Sequence, residues 1–164
     1  MLGELSEIVF SVDGTIDKFT GDGLIAIFGA PFDQDDHAVN SVRAALRMRD
    51  AIERIDAKSD LELPLVMRFG INTGAVVAGD IGGPHRREYT VVGDTVNVAS
   101  RLESVVAAPG DIVIGEKTQA LVNKVFALEA LEPMQVRGRV EEVVPFRVIG
   151  RIEEETGERK PADQ

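Results

Sequence analysis

The sequence predicts an α+β fold, with helices laid over one face of a largely antiparallel sheet. Three observations carry this. Hairpin-like pairs of β-prone runs alternate with long amphipathic helices, and no repeat or long linker divides the chain. The 164 residues, 44% hydrophobic and 28% charged, suit one domain with one core. A domain near this size buries roughly 70% of the surface its unfolded chain exposes, enough to stand without disulfides or a structural metal. The chain has no cysteine, so disulfide and thiolate chemistry is excluded.

Each element has its own warrant in chain order. Leu2 to Val12 is short and amphipathic and reads as the end of a helix, stopped by the Asp13-Gly14 turn. Thr15-Ile16-Asp17-Lys18-Phe19 and Leu24-Ile25-Ala26-Ile27-Phe28 are β-prone runs around Thr20-Gly21-Asp22-Gly23, a hairpin whose tip carries Asp22. From Asp35, Ala38, Val42, Ala45, Leu46, Ile52 and Ile55 recur at helical spacing and predict a long amphipathic helix. Pro64 restarts the chain. Leu65 to Ile71 and Ala75 to Ala78 read as strands broken by Thr73-Gly74, and Glu88 to Val92 as a further strand.

Gly93-Asp94 opens a helix with Asp94 as its N-cap and Val96, Ala99, Leu102 and Val106 as its apolar stripe; Pro109-Gly110 ends it. A short strand (Ile112 to Ile114), a helix (Lys117 to Lys124) and strands between Phe126 and Ile149 joined at Gly138 complete the domain. Residues 1–150 form this unit, and 151–164 read as a solvated acidic and polar tail.

Charge narrows the function. Eighteen Lys and Arg against 28 Asp and Glu give a net charge of −10, and no local basic patch stands out. Broad nucleic-acid binding is therefore disfavoured, and a phosphate ligand has to be handled locally, through a cation. No apolar run approaches the ~18 residues of a membrane span, and Met1-Leu2-Gly3-Glu4-Leu5 lacks the basic start of a signal peptide. The expectation is a cytoplasmic domain without membrane contact.

Candidate chemistry sits at two places. Asp22, between Gly21 and Gly23, presents a carboxylate where a bulky ligand can approach, which suits Mg²⁺ held by one or two carboxylates plus substrate phosphates; Gly-Asp-Gly is also ordinary turn chemistry. Lys18 shares a face with Ile16 by the two-residue period, and a lysine there can equally snorkel to solvent. On the helix after Gly93, Asn97 and Arg101 stand four residues apart on one face, away from the apolar stripe. An arginine there can neutralise charge on a transferring phosphoryl group, or simply pair with a nearby Glu. Thr90 ends a strand. Arg137 and Arg139 straddle Gly138 and can reach phosphate, although surface arginines near a turn are common. His37 and His85 are too far apart in sequence context to assemble a histidine metal site or triad.

The stretches Asp17-Lys18-Phe19-Thr20-Gly21-Asp22-Gly23-Leu24-Ile25-Ala26-Ile27-Phe28-Gly29 and Tyr89-Thr90-Val91-Val92-Gly93-Asp94-Thr95-Val96-Asn97-Val98-Ala99-Ser100-Arg101-Leu102-Glu103 together resemble the class III adenylate/guanylate cyclase catalytic domain. The likeness runs in register from about Glu4 to Ile149 and includes Arg68-Phe69-Gly70-Ile71-Asn72-Thr73-Gly74 and the Val136-Arg137-Gly138 turn. The resemblance implies a ferredoxin-like core that dimerises head to tail with shared active sites. Asp22 matches the second of the family's two metal-binding aspartates, Lys18 the purine-reading lysine and Thr90 its partner in base choice. Asn97 and Arg101 match the pair that orients the ribose and stabilises the transition state, and Arg139 or Arg137 the basic contact to the terminal phosphates. The Lys and Thr combination resembles the adenine-selective bacterial subtype. The implied reaction converts ATP to cyclic AMP and pyrophosphate with two Mg²⁺ or Mn²⁺ ions, in a homodimer.

The chain departs from that pattern in one respect. The family's first metal aspartate lies on an opening strand, whereas this sequence starts near the end of the following helix. Asp13 falls in a turn, and Asp17 sits beside Lys18 on the opposite strand face, so neither fits that role. The resemblance thus implies a domain lacking the first strand and helix, with an open sheet edge and uncovered apolar surface. The alternative to an active lyase is a cyclase-homology module that binds nucleotide and dimerises without turnover. A diguanylate cyclase ranks behind both, because Gly23 and Leu24 break its hairpin signature.

Overall fold

The computed structural model describes residues 1–83, 86–138 and 140–152. Its elements are α1 (Leu2–Phe10), β1 (Thr15–Thr20), β2 (Gly23–Ile27), α2 (His37–Asp56), β3 (Phe69–Ile71), β4 (Val77–Gly83), β5 (Arg86–Val92), α3 (Asp94–Arg101), β6 (Ile112–Ile114), α4 (Glu116–Val122), β7 (Phe126–Ala130) and β8 (Phe146–Arg151). A π-helical turn, Leu102–Val106, continues α3. The predicted elements are all present and the fold is α+β as the sequence predicts, but helices cover both faces of the sheet rather than one: α2 and α4 pack on the Ile112 and Ile114 side of β6, and α3 on the Val113 side.

Four strands form the main sheet in the order β3-β6-β8-β7. Only β3 and β6 are parallel, with Phe69 opposite Ile112 and Ile71 opposite Ile114. β1 with β2 and β4 with β5 form separate antiparallel ribbons. β6 is the central strand and shows it in sequence: Ile112, Val113 and Ile114 are all fully buried, an unbroken apolar run in place of alternation. Ile112 and Ile114 face α2, where Ala38, Val42 and Ala45 meet Val122, Phe126 and Val148. Val113 faces the other way, into a cluster with Val98, Leu102, Val136 and Val143. Each such side chain contributes about 1.5–3 kcal/mol of burial.

The long helix α2 belongs to two clusters at once. A neighbouring row, Ala44, Met48, Ala51 and Ile52, receives Leu5 and Val9 of α1, both fully buried and one turn apart. The sequence stripe through Leu46 and Ile55 omits Ala44, Met48 and Ala51: the two alanines are small residues that let α1 approach and do not stand out by hydrophobicity, and Met48 stands between Arg47 and Arg49.

Element boundaries shift for tertiary reasons. Of the strand expected from Leu65 only Phe69–Ile71 is laddered, since its partner β6 has just three residues. The strand expected at 75–78 instead runs from Val77 to Gly83, matched residue for residue by β5. Gly93 is the N-cap of α3, with Asp94 inside the first turn. On β8, Arg147 reaches Glu129 (2.8 Å) and Asp111 (3.1 Å). The hydrogen bond to Glu129 first, then Asp111, raises its guanidinium pKa above the ordinary value, so it stays cationic.

The sheet is not continuous. β2 pairs only with β1 and β3 only with β6, so each strand has one edge without a partner among the described residues. Both strands line a cavity of about 970 Å³ floored by apolar side chains of α2 such as Ala45 and Met48. The open edge and uncovered apolar surface expected from the sequence are found here. No helix among the described residues is long and apolar enough to cross a membrane.

Candidate active site

The β1–β2 hairpin positions two of the predicted residues. Gly21 occupies the turn at φ +66°, a left-handed conformation that favours glycine, and holds Asp22 exposed at the tip. Asp22 borders the 970 Å³ cavity. Its neighbour Lys18 lies half exposed on β1 and donates a hydrogen bond from Nζ to Thr90 Oγ1 at 3.2 Å, joining residues 72 positions apart. Gly79 stands opposite Thr90 in the β4–β5 ladder, so no cross-strand side chain crowds the hydroxyl.

Lys18 is placed by an irregularity that the period-two pattern does not contain. The ladder pairs Ile16 with Ala26 and Lys18 with Ile25, leaving Asp17 as the extra residue of a β-bulge. The face shared by Ile16 and Lys18 on a regular strand is therefore interrupted. Ile16 packs on the α1–α2 cluster. The Asp17 side chain is only 3% exposed, and its Oδ2 lies 3.4 Å from Lys18 Nζ.

Asn97 and Arg101 project from the exposed face of α3, one turn apart, as predicted. The buried face of this helix is Val98 and Leu102, at 1% and 0% exposure. Val96 and Ala99, expected in the stripe, line the cavity instead. Two features lock the helix in place. Asn72 donates from Nδ2 to Thr95 O (3.1 Å), and Thr95 donates from Oγ1 to Ala75 O (2.8 Å), tying the first turn of α3 to the segment after β3. Gly70 in β3 lies so close beneath α3 that any side chain would press on the Ala99 carbonyl and Glu103 N. Sequence inspection missed Asp17, Asn72 and Thr95 as supports. An acidic residue inside an otherwise β-prone run was the available signal for Asp17.

Asp22 thus belongs to the cavity, whereas Lys18, Thr90, Asn97 and Arg101 are not among the residues lining it. Among the described residues no group of three His, Asp or Glu side chains is arranged to hold a metal ion. Asp22 alone fits a hard cation that takes most of its remaining ligands from phosphates and water. Arg137 is exposed on the turn closed by Gly138 at φ +89°. Arg139, His85 and the tail from residue 153 lie outside the described residues. His37 begins α2 and packs beside Gly29.

Comparison with known proteins shows the family and the fold. The family model for the adenylate and guanylate cyclase catalytic domain matches residues 10–150. Adenylate cyclase 1 of Rhizobium meliloti is 36% identical over 147 residues, covering 88% of this chain and 20% of that protein. Among solved structures, the adenylyl cyclase CyaB from P. aeruginosa superposes with a TM-score of 0.86 at 35% identity, covering 90% of this chain and 78% of that one. The guanylyl cyclase Cya2 gives the same TM-score and identity over 94% and 79%. The chain belongs to the adenylate/guanylate cyclase catalytic domain family, and it spans about a fifth of the length of the Rhizobium relative.

Proposed function

We propose that this domain converts ATP to cyclic AMP and pyrophosphate in the cytoplasm, as a homodimer whose two active sites are each shared between protomers. The Lys18–Thr90 hydrogen bond carries the choice of base. An ammonium only donates, while a hydroxyl also accepts. With Lys18 against the ring N1 and Thr90 against the six-substituent, adenine meets a donor at its acceptor and an acceptor at its amino group. Guanine in the same pose sets its N1–H against the ammonium, a donor facing a donor, and buried unpaired donors are what selective sites penalise most.

In the reaction the ribose 3′ oxygen bonds to the α-phosphorus, the bond from that phosphorus to the bridging oxygen breaks with pyrophosphate leaving, and the hydroxyl proton passes to water. Asn97 orients the ribose, and the Arg101 guanidinium balances charge on the α-phosphoryl oxygens. Asp22 would hold Mg²⁺ or Mn²⁺, which supplies polarisation of the phosphoryl oxygens. Arg139 is the proposed contact to the terminal phosphates. That Asp22 lines the cavity whereas Lys18, Thr90, Asn97 and Arg101 do not supports a site completed by a second copy.

A second reading is nucleotide binding without turnover; among the described residues no group of three His, Asp or Glu side chains is arranged to hold a metal ion. One experiment separates the two. Cyclic AMP and cyclic GMP are measured from ATP and GTP with excess Mn²⁺ at high protein concentration, beside Asp22→Ala and Arg101→Ala. Cyclic AMP formation abolished by both substitutions supports the lyase. No product above the variants' background, from folded protein that binds ATP, overturns it in favour of the binding module.

A further inference from the structure

We propose that Asp17 is a positioning residue for base selection, holding the Lys18 ammonium so that its remaining donors face the purine; this rests on the base-reading role of Lys18 and Thr90. Three observations converge on it. The bulge places Asp17 outside the regular ladder, next to the one lysine that bonds Thr90. The carboxylate is 97% withdrawn from solvent on a strand whose next three residues are all exposed, so its burial is local and particular to this side chain. Its Oδ1 is buried with no hydrogen-bond partner, leaving the Oδ2 contact to Lys18 as its compensation.

A carboxylate kept dry and half satisfied is costly, and a bulge is a device for re-aiming a side chain. A buried aspartate here would serve no purpose in sheet packing, where an apolar residue of similar size does better. It does serve to hold Lys18. A lysine on a β-strand has four rotatable bonds and ordinarily sweeps the solvent. The ammonium sits between an ion pair with Asp17 Oδ2 at 3.4 Å and a hydrogen bond to Thr90 Oγ1 at 3.2 Å, so its position is restricted from two sides and one donor direction is defined. The remaining donors are then held near the purine in advance, and part of the ordering entropy that base binding would otherwise cost is already met in the free protein.

The test uses the full chain and the variants Asp17→Asn, Lys18→Ala and the double substitution, with Asp17→Ser as a second way to remove the carboxylate. Two quantities are read: equilibrium affinity for ATP and for GTP, and the ¹H–¹⁵N signal of the Lys18 ammonium without nucleotide. Thermal unfolding confirms that each variant is folded. Asp17→Asn is expected to abolish the exchange-protected ammonium signal and weaken ATP binding about two- to fivefold, the size of an ion pair at a half-exposed site. GTP binding should change far less. In the Lys18→Ala background the same substitution should have no further effect, because Asp17 acts through Lys18.

An ammonium signal unchanged by Asp17→Asn and Asp17→Ser overturns the proposal. So does a loss of ATP affinity that persists in the Lys18→Ala background, which would make Asp17 a structural support. A wild-type chain that binds ATP no better than GTP overturns the adenine assignment itself, and the ammonium signal still decides whether Asp17 holds Lys18.

Discussion

Replacing Gly70 by alanine tests how α3 and the two side chains proposed to act from it, Asn97 and Arg101, are held. The added methyl would press on the Ala99 carbonyl oxygen and lie 2.6 Å from Glu103 N and 2.9 Å from Glu103 Cβ. Two of these atoms are backbone, so no rotamer change relieves them, and α3 must move or the strand must bend. Overpacking of this kind costs about 3 kcal/mol at the upper end of its usual range. Reduced freedom of the unfolded chain returns roughly 0.4–1 kcal/mol. The net loss is about 2 kcal/mol, some 30-fold in the folding equilibrium, and a midpoint lower by roughly 4–8 °C for a domain of this size. Gly150→Ala is the control, since that position on β8 has open space around it and no unusual backbone angle. Urea and thermal unfolding measure both. A Gly70→Ala stability within about 0.5 kcal/mol of wild type would refute the close approach of β3 and α3 and, with it, the account of how Asn97 and Arg101 are positioned.

Other substitutions probe the core and the site separately. Leu102→Ala, at a fully buried side chain beneath α3, should lose about 2–5 kcal/mol by denaturant unfolding; a loss under about 1 kcal/mol would mean that this cluster is loosely packed. Arg101→Ala removes an exposed side chain, so the unfolding midpoint should not move. Its kcat should fall about 10²- to 10³-fold with little change in KM, and a rise in KM alone would assign Arg101 to ground-state binding instead. Asp22→Asn should keep the fold, because the residue is exposed at a turn, and should abolish the stimulation of activity by added Mn²⁺. Retention of that stimulation would place the metal elsewhere.

The elements of this fold were legible wherever local chemistry repeats. The 20-residue α2 announces itself by periodicity, β6 by its three apolar residues and the hairpin by its Gly-Asp-Gly tip. Strand limits were less legible because a strand extends only as far as its partner does: Leu65 to Arg68 are β-prone, yet before β6 the pairing ends at Gly110, whose N–H reaches Met67 O, because Pro109 has no N–H to extend it. The apolar stripe of α3 was misplaced by a residue or two for a related reason. Val96 and Ala99 are apolar because they line a cavity, and hydrophobicity alone does not separate a cavity wall from a packed core.

The sequence by itself determined the class of fold, the family, the exposed carboxylate at the hairpin tip and the one-turn spacing of Asn97 and Arg101. These depend on residue type and short spacing, which the chain carries locally. Tertiary structure decided that Lys18 meets Thr90 across 72 positions, that a bulge sets Asp17 against Lys18, and that β2 and β3 stand apart across an open cavity. Those outcomes depend on which distant segments pack together and on the register in which they pair. A one-residue slip in that register reverses every side chain's direction, so no local pattern could have settled them.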